Sequence, residues 1–254
     1  MFEIIICIIA GLGAGFGTGF AGMSAAAVIS PLLITFLHMD PYLAVGIALA
    51  SDVLASAASA ITYGKNKNLD IKNGIIMMIS VLCFTMAGSY IASIVPKTTM
   101  GNFSVFMTLL LGIKFIVKPV TEPKQRLLAA TAKQKAIRSV ACGAAVGFIC
   151  GFVGAGGGMM MLLVLTSVLG YELKTAVGTS VFIMSATALT GSVSHFVIGG
   201  MPDIKALVIC VVSTLVFAQI ASLLANKLPA KTLNRITGAI LVVLGIAVLG
   251  VNYL

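Results

Sequence analysis

Asp52 is the only acid that falls inside an apolar block of this chain, set between Ser51 and the small-residue run Ala55 to Ala60. A carboxylate left unpaired at a bilayer centre costs about 2.5–3.5 kcal/mol on insertion scales, so a residue placed there faces a cavity or a partner. Proton coupling is one use of such a group; hydration near the membrane interface is the other reading. A second set of residues has different chemistry. The run Gly154-Ala155-Gly156-Gly157-Gly158 disfavours continuous helix and exposes backbone N–H groups beside the start of the next apolar segment. A helix beginning near Gly158 would aim its positive dipole end and free amides at an anion. Thr179 and Ser180 bring hydroxyls that donate either to such a ligand or to carbonyls of their own helix. His195 reads an anion, titrates, or anchors a helix end at the interface.

Other chemistries find little support. Catalysis needs clustered His, Cys or carboxylates, whereas the two histidines, His38 and His195, lie far apart and the acids mostly occupy connectors. Five cysteines (Cys7, Cys83, Cys142, Cys150 and Cys210) are scattered without metal-ligand or disulfide spacing and read as helix-packing residues. No cofactor is expected. The stretch Gly17-Thr18-Gly19-Phe20-Ala21-Gly22 spells a dinucleotide-binding pattern, but that motif works only between a strand and a helix of a soluble βαβ unit, a context absent from this apolar run. A Walker sequence for ATP is also missing.

The elements that must position these residues are long and apolar. Only 9% of residues are charged and 59% are hydrophobic, with a mean hydropathy of +1.14. That stock cannot cover a water-soluble surface, and the charges fall between apolar blocks long enough to span a bilayer. The net charge of +9 comes from Lys and Arg in short connectors without interleaved aromatics, which excludes nucleic acid as the expected partner and leaves topology as the explanation. The expected class is an all-α polytopic membrane protein whose surroundings are lipid. The N-terminus has an acid at Glu3 and no basic n-region, so it reads as the first membrane segment rather than a cleaved signal peptide.

The pattern is written twice, in residues 14–118 and 146–250. Gly15, Phe16, Gly19, Phe20 and Gly22 recur as Gly147, Phe148, Gly151, Phe152 and Gly154, and Ala44-Val45-Gly46 as Ala176-Val177-Gly178, all at an offset of 132. One inserted residue later, Asp70-Ile71-Lys72 recurs as Asp203-Ile204-Lys205 and Leu111-Gly112-Ile113 as Leu244-Gly245-Ile246. The expected division is a first membrane repeat at 1–118, a basic cytoplasmic linker at 119–138 and a second repeat at 139–254, with about five membrane segments per repeat. The uncharged runs 4–37 and 139–171 are too long for one ordinary crossing and too short for two full ones. Both are interrupted by glycine, at Gly11 to Gly22 and Gly147 to Gly158, so the first pair of segments in each repeat is expected to be short or broken, crossing fully or dipping in and returning. Short or interrupted segments at matching positions of two halves point to a transporter binding site.

Placing 64–72, 118–138, Lys174 and 227–235 on one side gathers thirteen of the basic residues there, leaving Lys97 and Lys205 opposite and Lys114 near a helix end. The positive-inside rule makes the first side cytoplasmic and puts both termini outside. Equivalent loops swap sides between copies, so the repeats are expected to be inverted. The copies are also unequal at the sites of interest. The slot of Asp52 holds Met184, that of His195 holds Tyr63, and the counterpart of the glycine run is Gly22-Met23-Ser24-Ala25-Ala26, which keeps one hydroxyl, Ser24, but loses the glycines.

The arrangement G-F-V-G-A-G-G-G at 151–158, A-V-G-T-S at 176–180, a histidine at 195 and G-G-M-P-D at 199–203 resembles the TauE/SafE sulfite-exporter family of membrane permeases. The likeness covers essentially the whole chain and is looser in the first repeat, where Val45-Gly46-Ile47-Ala48 stands for V-G-T-S. It implies a permease for sulfite, sulfoacetate and related sulfur-containing anions. The expected substrate site is Ser24, Gly156, Gly157, Gly158, Thr179, Ser180 and His195, with Asp52 as the proton-coupling candidate. The partners are a small anion and an inner-membrane bilayer, and alternating access is driven by the proton gradient or the membrane potential. A passive anion channel stays open as the alternative.

Overall fold

The computed structural model describes residues 1–92, 109–110, 112–119, 122–123, 129–153 and 157–252. Among these, all regular structure is helical: α1 (Phe2–Ala21), α2 (Ala26–Leu37), α3 (Pro41–Lys65), α4 (Ile71–Ala92), a stretch at 112–117, α5 (Ala132–Val153), α6 (Gly157–Leu163) running into a π-helical turn (Val164–Leu169), α7 (Leu173–Gly199), α8 (Ile204–Lys227) and α9 (Ala230–Asn252). Five of them, α1, α3, α7, α8 and α9, contain windows long and apolar enough to cross a bilayer.

Local chemistry sets the helix starts. Asp40 accepts from the Tyr42 and Leu43 amides ahead of Pro41 at the first position of α3. Asp70 and Asp203, the repeated acid of the two copies, do the same work: Asp70 accepts from the Asn73 amide at α4 and Asp203 from Lys205 and Ala206 at α8. Thr131 and Gln134 exchange side chain to backbone bonds in a capping box, which begins α5 within the basic linker, seven residues ahead of the boundary expected at 138.

Small residues bring helices together. Gly11, Gly15 and Gly19 lie one turn apart on α1 and face Ser213, Phe217 and Ala221 of α8 in ascending order, so the two helices run parallel. Their repeat partners Gly143 and Gly147 on α5 face Met77, Ser80 and Val81 of α4, again in parallel; a Cβ on Gly147 would lie 2.4 Å from the Val81 carbonyl oxygen. Thr62 pairs with Gln219 and Asn68 with Asn226, which sets α3 parallel to α8. α7 runs antiparallel to α3, with His195 and Phe196 against Gly46 at one end and Gly178 against Tyr63 at the other. Thus α1, α3 and α8 point one way and α4, α5 and α7 the other. Because α1 and α3 start on the same side, α2 must return. Its 12 residues span about 18 Å, roughly half a bilayer core.

The interruption expected across Gly11 to Gly22 is narrower than the glycines suggest. α1 is continuous for 20 residues and breaks only at Gly22, whose left-handed φ of 59° closes the helix. Gly11, Gly15 and Gly19 stay helical with their bare faces filled by α8, while Gly13 and Gly17 face Val28, Met23 and Leu244. The outward face of α8 carries Val208, Val212, Val216, Ile220 and Leu224, all exposed and one turn apart, a stripe suited to lipid.

Candidate functional site

Two chain breaks meet inside the bundle. The first follows α1. Gly22 and Met23 amides bond back to Thr18 and Gly17 carbonyls, and the carbonyls left over at the helix end are taken by hydroxyls from all around. Tyr63 donates to Gly19 O at 2.8 Å, Thr237 to Phe20 O at 3.1 Å, Ser180 to Gly22 O at 3.2 Å and Thr18 to Met23 O at 2.8 Å. Irregular backbone at this depth is stable only when its polar groups find such partners within the protein. The second lies ahead of α6, whose first described residue, Gly157, has its Cβ position 3.0 Å from Cys150 Sγ seven residues earlier, so α5 does not run straight into α6. A Cβ on Gly158 would fall 2.6 Å from both the Gly22 carbonyl oxygen and the Ser24 amide nitrogen, so the two breaks touch backbone to backbone.

Asp52 sits at this junction. It is 1% exposed, so bulk water does not reach its carboxyl group in this conformation. Ser56 donates to its Oδ1 at 2.8 Å, and the Ser24 hydroxyl and Ala25 amide at the start of α2 also face the carboxylate. The first helix start is thus turned toward a carboxyl group that belongs to the protein. Its counterpart differs: Met184, in the slot of Asp52, brings its Sδ within 2.9 Å of the Cβ position of Gly158 and takes a bond from Ser180 at 3.6 Å. The second helix start therefore faces an uncharged thioether.

The candidate residues divide accordingly. Ser24, Gly158, Ser180 and Asp52 come together. Gly157 is adjacent, partly exposed, with Cys150 Sγ 3.0 Å from its Cβ position. Gly156 lies outside the described residues. Thr179 points elsewhere: its hydroxyl accepts the Asp70 amide at 3.2 Å in the α3–α4 turn. His195 is fifteen residues farther along α7 than Ser180, about 22 Å at helical rise; there its ring stacks on Tyr42 at 4.3 Å and Nδ1 pairs with Gly191 O.

Three groups escaped the sequence reading. Ser56, one turn after Asp52, was legible from i, i+4 spacing. Tyr63 and Thr237 were not, since nothing local shows which carbonyl a hydroxyl from a distant helix will reach. A polar cluster also ties the two halves together at the α3–α4 turn. Tyr171 donates to Asp70 Oδ2 at 2.7 Å, and Asn226 joins Asn68 and Lys174. Burial and the neighbouring Asp70 carboxylate push the Tyr171 phenol above the ordinary tyrosine range.

Residues 7–248 match the family described as Sulfite exporter TauE/SafE. The chain is 27% identical over 263 residues to "Probable membrane transporter protein YunE" of Bacillus subtilis (strain 168), with 96% of each chain covered. It is 24% identical over 261 residues to "Probable membrane transporter protein MJ0441" of Methanocaldococcus jannaschii, covering 97% of this chain and 94% of that one. A third similar protein, "Probable membrane transporter protein YdhB" of Bacillus subtilis, is 22% identical over 216 residues.

Proposed function

The chain belongs to the TauE/SafE sulfite-exporter family and is a multi-pass membrane transporter; from that membership we propose that it is a secondary permease for a small anion, sulfite or an organosulfur anion such as a sulfonate. The anion binds where the two helix breaks meet, held by the amides at Gly157 and Gly158, with Gly156 as the preceding donor, by the Ser180 hydroxyl and by the Ser24 amide. The observation that carries this reading is the backbone contact between Gly158 and Gly22–Ser24, which brings both candidate half-sites to one point. Thr179 and His195 stand outside that point.

Transport proceeds by alternating access between two inverted repeats. The helix directions support this: α1 and α3 run opposite to their sequence counterparts α5 and α7, and the contact of Gly46 with His195 mirrors that of Gly178 with Tyr63. The basic connectors face the cytoplasm, both termini lie outside, and the membrane is the inner one. The driving force is the proton gradient or the membrane potential, the latter worth about 2.3 kcal/mol per charge per 100 mV.

Currents on a solid-supported membrane, with purified protein challenged by sulfite, sulfate, thiosulfate, sulfonates and carboxylates, test the substrate class. Responses confined to carboxylates overturn the sulfur assignment. Flux that never concentrates an anion against its gradient in proteoliposomes replaces the permease by a passive channel.

A further inference from the structure

Asp52 is the first member of a polar file. Asp52, Ser56, Ser59 and Tyr63 follow at intervals of four, three and four residues, which keeps all four on one face of α3. All are buried, at 1%, 0%, 0% and 0% exposure, and Asn66, exposed at the end of α3, continues the same face. Ser56 donates to Asp52, and Tyr63 donates to Gly19 O. Between them the Ser59 hydroxyl has no hydrogen-bond partner among the described residues. A buried hydroxyl left unpaired costs about 1–3 kcal/mol, so it is poorly accounted for as packing. Ser56 and Tyr63 each keep acceptor capacity toward it.

The file runs in one direction only. Toward the start of α3 the same face holds Ala48 and Val45. It also exists in one repeat only, since the counterparts of Asp52, Ser56, Ser59 and Tyr63 are Met184, Ala188, Gly191 and His195.

We propose that Ser56, Ser59 and Tyr63 form the path by which a proton passes between Asp52 and the end of α3 that carries Lys65 and Lys67. This rests on the transport reading above and deepens its proton-driven form. The transfer is a hydroxyl relay: each group accepts a proton on one side and releases one on the other, so no group is consumed and Asp52 alone changes charge. The first step is the direct bond between Ser56 and Asp52, and the residues of the next two steps are about 4.5–6 Å apart along the helix axis, a span that one water bridges.

Among the described residues no other charge faces Asp52, whose facing groups are Ser56, Ser24 and the Ala25 amide. On the helices packed against α3, the ionisable residues sit near the ends: Glu3 and Cys7 on α1, Lys174 and His195 on α7, Lys205, Cys210 and Lys227 on α8, with none on α2. On α3 itself they are Tyr42, Tyr63 and Lys65.

The test is time-resolved infrared spectroscopy of the protein in nanodiscs after a pH jump, following the protonated carboxyl band that Asp52→Asn removes. Ser59→Ala should slow its response by about tenfold or more, as loss of a proton-transfer group does, and Ser59→Thr should restore it. An unchanged rate in Ser59→Ala, or a slowed rate that Ser59→Thr fails to restore, overturns the path, as does a wild-type carboxyl band that ignores pH. Sulfite counterflow measured on the same proteins separates the two readings. Wild-type protein without counterflow removes the sulfite-permease reading, whatever the infrared rates, whereas counterflow retained in Ser59→Ala beside a slowed band supports both.

Discussion

The two helix breaks occupy equivalent places in the repeats yet are built from opposite materials. At the first, Gly22 is followed by residues with side chains, four hydroxyls close the end of α1, and the start of α2 faces the Asp52 carboxylate. At the second, bare glycine meets the backbone of the first, and the side chain opposite is the Met184 thioether. A helix start already facing a fixed carboxylate has little field left for a second anion, while one facing a thioether keeps it. The two breaks stand at matching positions of the sequence pattern, and in the function proposed above substitution at a handful of positions suits one to holding a proton and the other to holding cargo.

The comparison is most easily broken at Gly158. Alanine there places a Cβ 2.6 Å from backbone on the opposite break, so the junction must open. Displacement of binding groups by about 1 Å can cost 10²-fold, and sulfite counterflow should fall by about that much in Gly158→Ala protein that still elutes as a single species. Retention of flux would mean that the two breaks need not touch.

Next in size is Asp52→Asn. Proton-driven uptake should drop by about tenfold or more, the scale expected for losing a proton-transfer group, while counterflow at equal pH persists. Unchanged uptake under a pH gradient would take the proton role away from the first break.

Ser180 touches both halves of the comparison, bonding Gly22 O on one side and Met184 on the other. Ser180→Ala should weaken sulfite binding, read by calorimetry, by about 3- to 10-fold, the equivalent of one neutral hydrogen bond. No change would place the anion away from Ser180.

The smallest effect is expected outside the breaks. Tyr171→Phe removes the bond to Asp70 and should lower thermal stability by about 1 kcal/mol near neutral pH. Because the folded protein holds this phenol above its ordinary value, its contribution is full below the unfolded value of about 10 and is lost as pH rises through the higher folded value. The extra alkaline loss of stability should therefore be weaker in Tyr171→Phe. An identical alkaline profile would remove Tyr171 from the contact between the halves.

Much of this was legible in the chain. Apolar runs between charges gave the helical class, the offset of 132 gave the pairing of positions, and Asp52 stood out because a lone carboxylate in such a run needs a reason. The capping acids Asp70 and Asp203 and the capping box at Thr131 were equally local, since a cap is a contract between residues two or three apart. Reading the glycines of α1 as interruptions went too far: glycine permits a break, but whether one occurs depends on the surface it meets.

The sequence by itself determined that this is a helical, lipid-embedded chain carrying two similar but unequal stretches of residues, because hydrophobicity, repetition and residue type are properties of the string. Only the tertiary structure decided that Ser180 joins the junction while its neighbour Thr179 turns to the Asp70 amide, that His195 lies a helix length away, and that Ser59 is buried without a hydrogen-bond partner among the described residues. Those outcomes depend on which helix lies opposite, and backbone groups at a broken helix take whatever hydroxyl the packing of distant segments delivers.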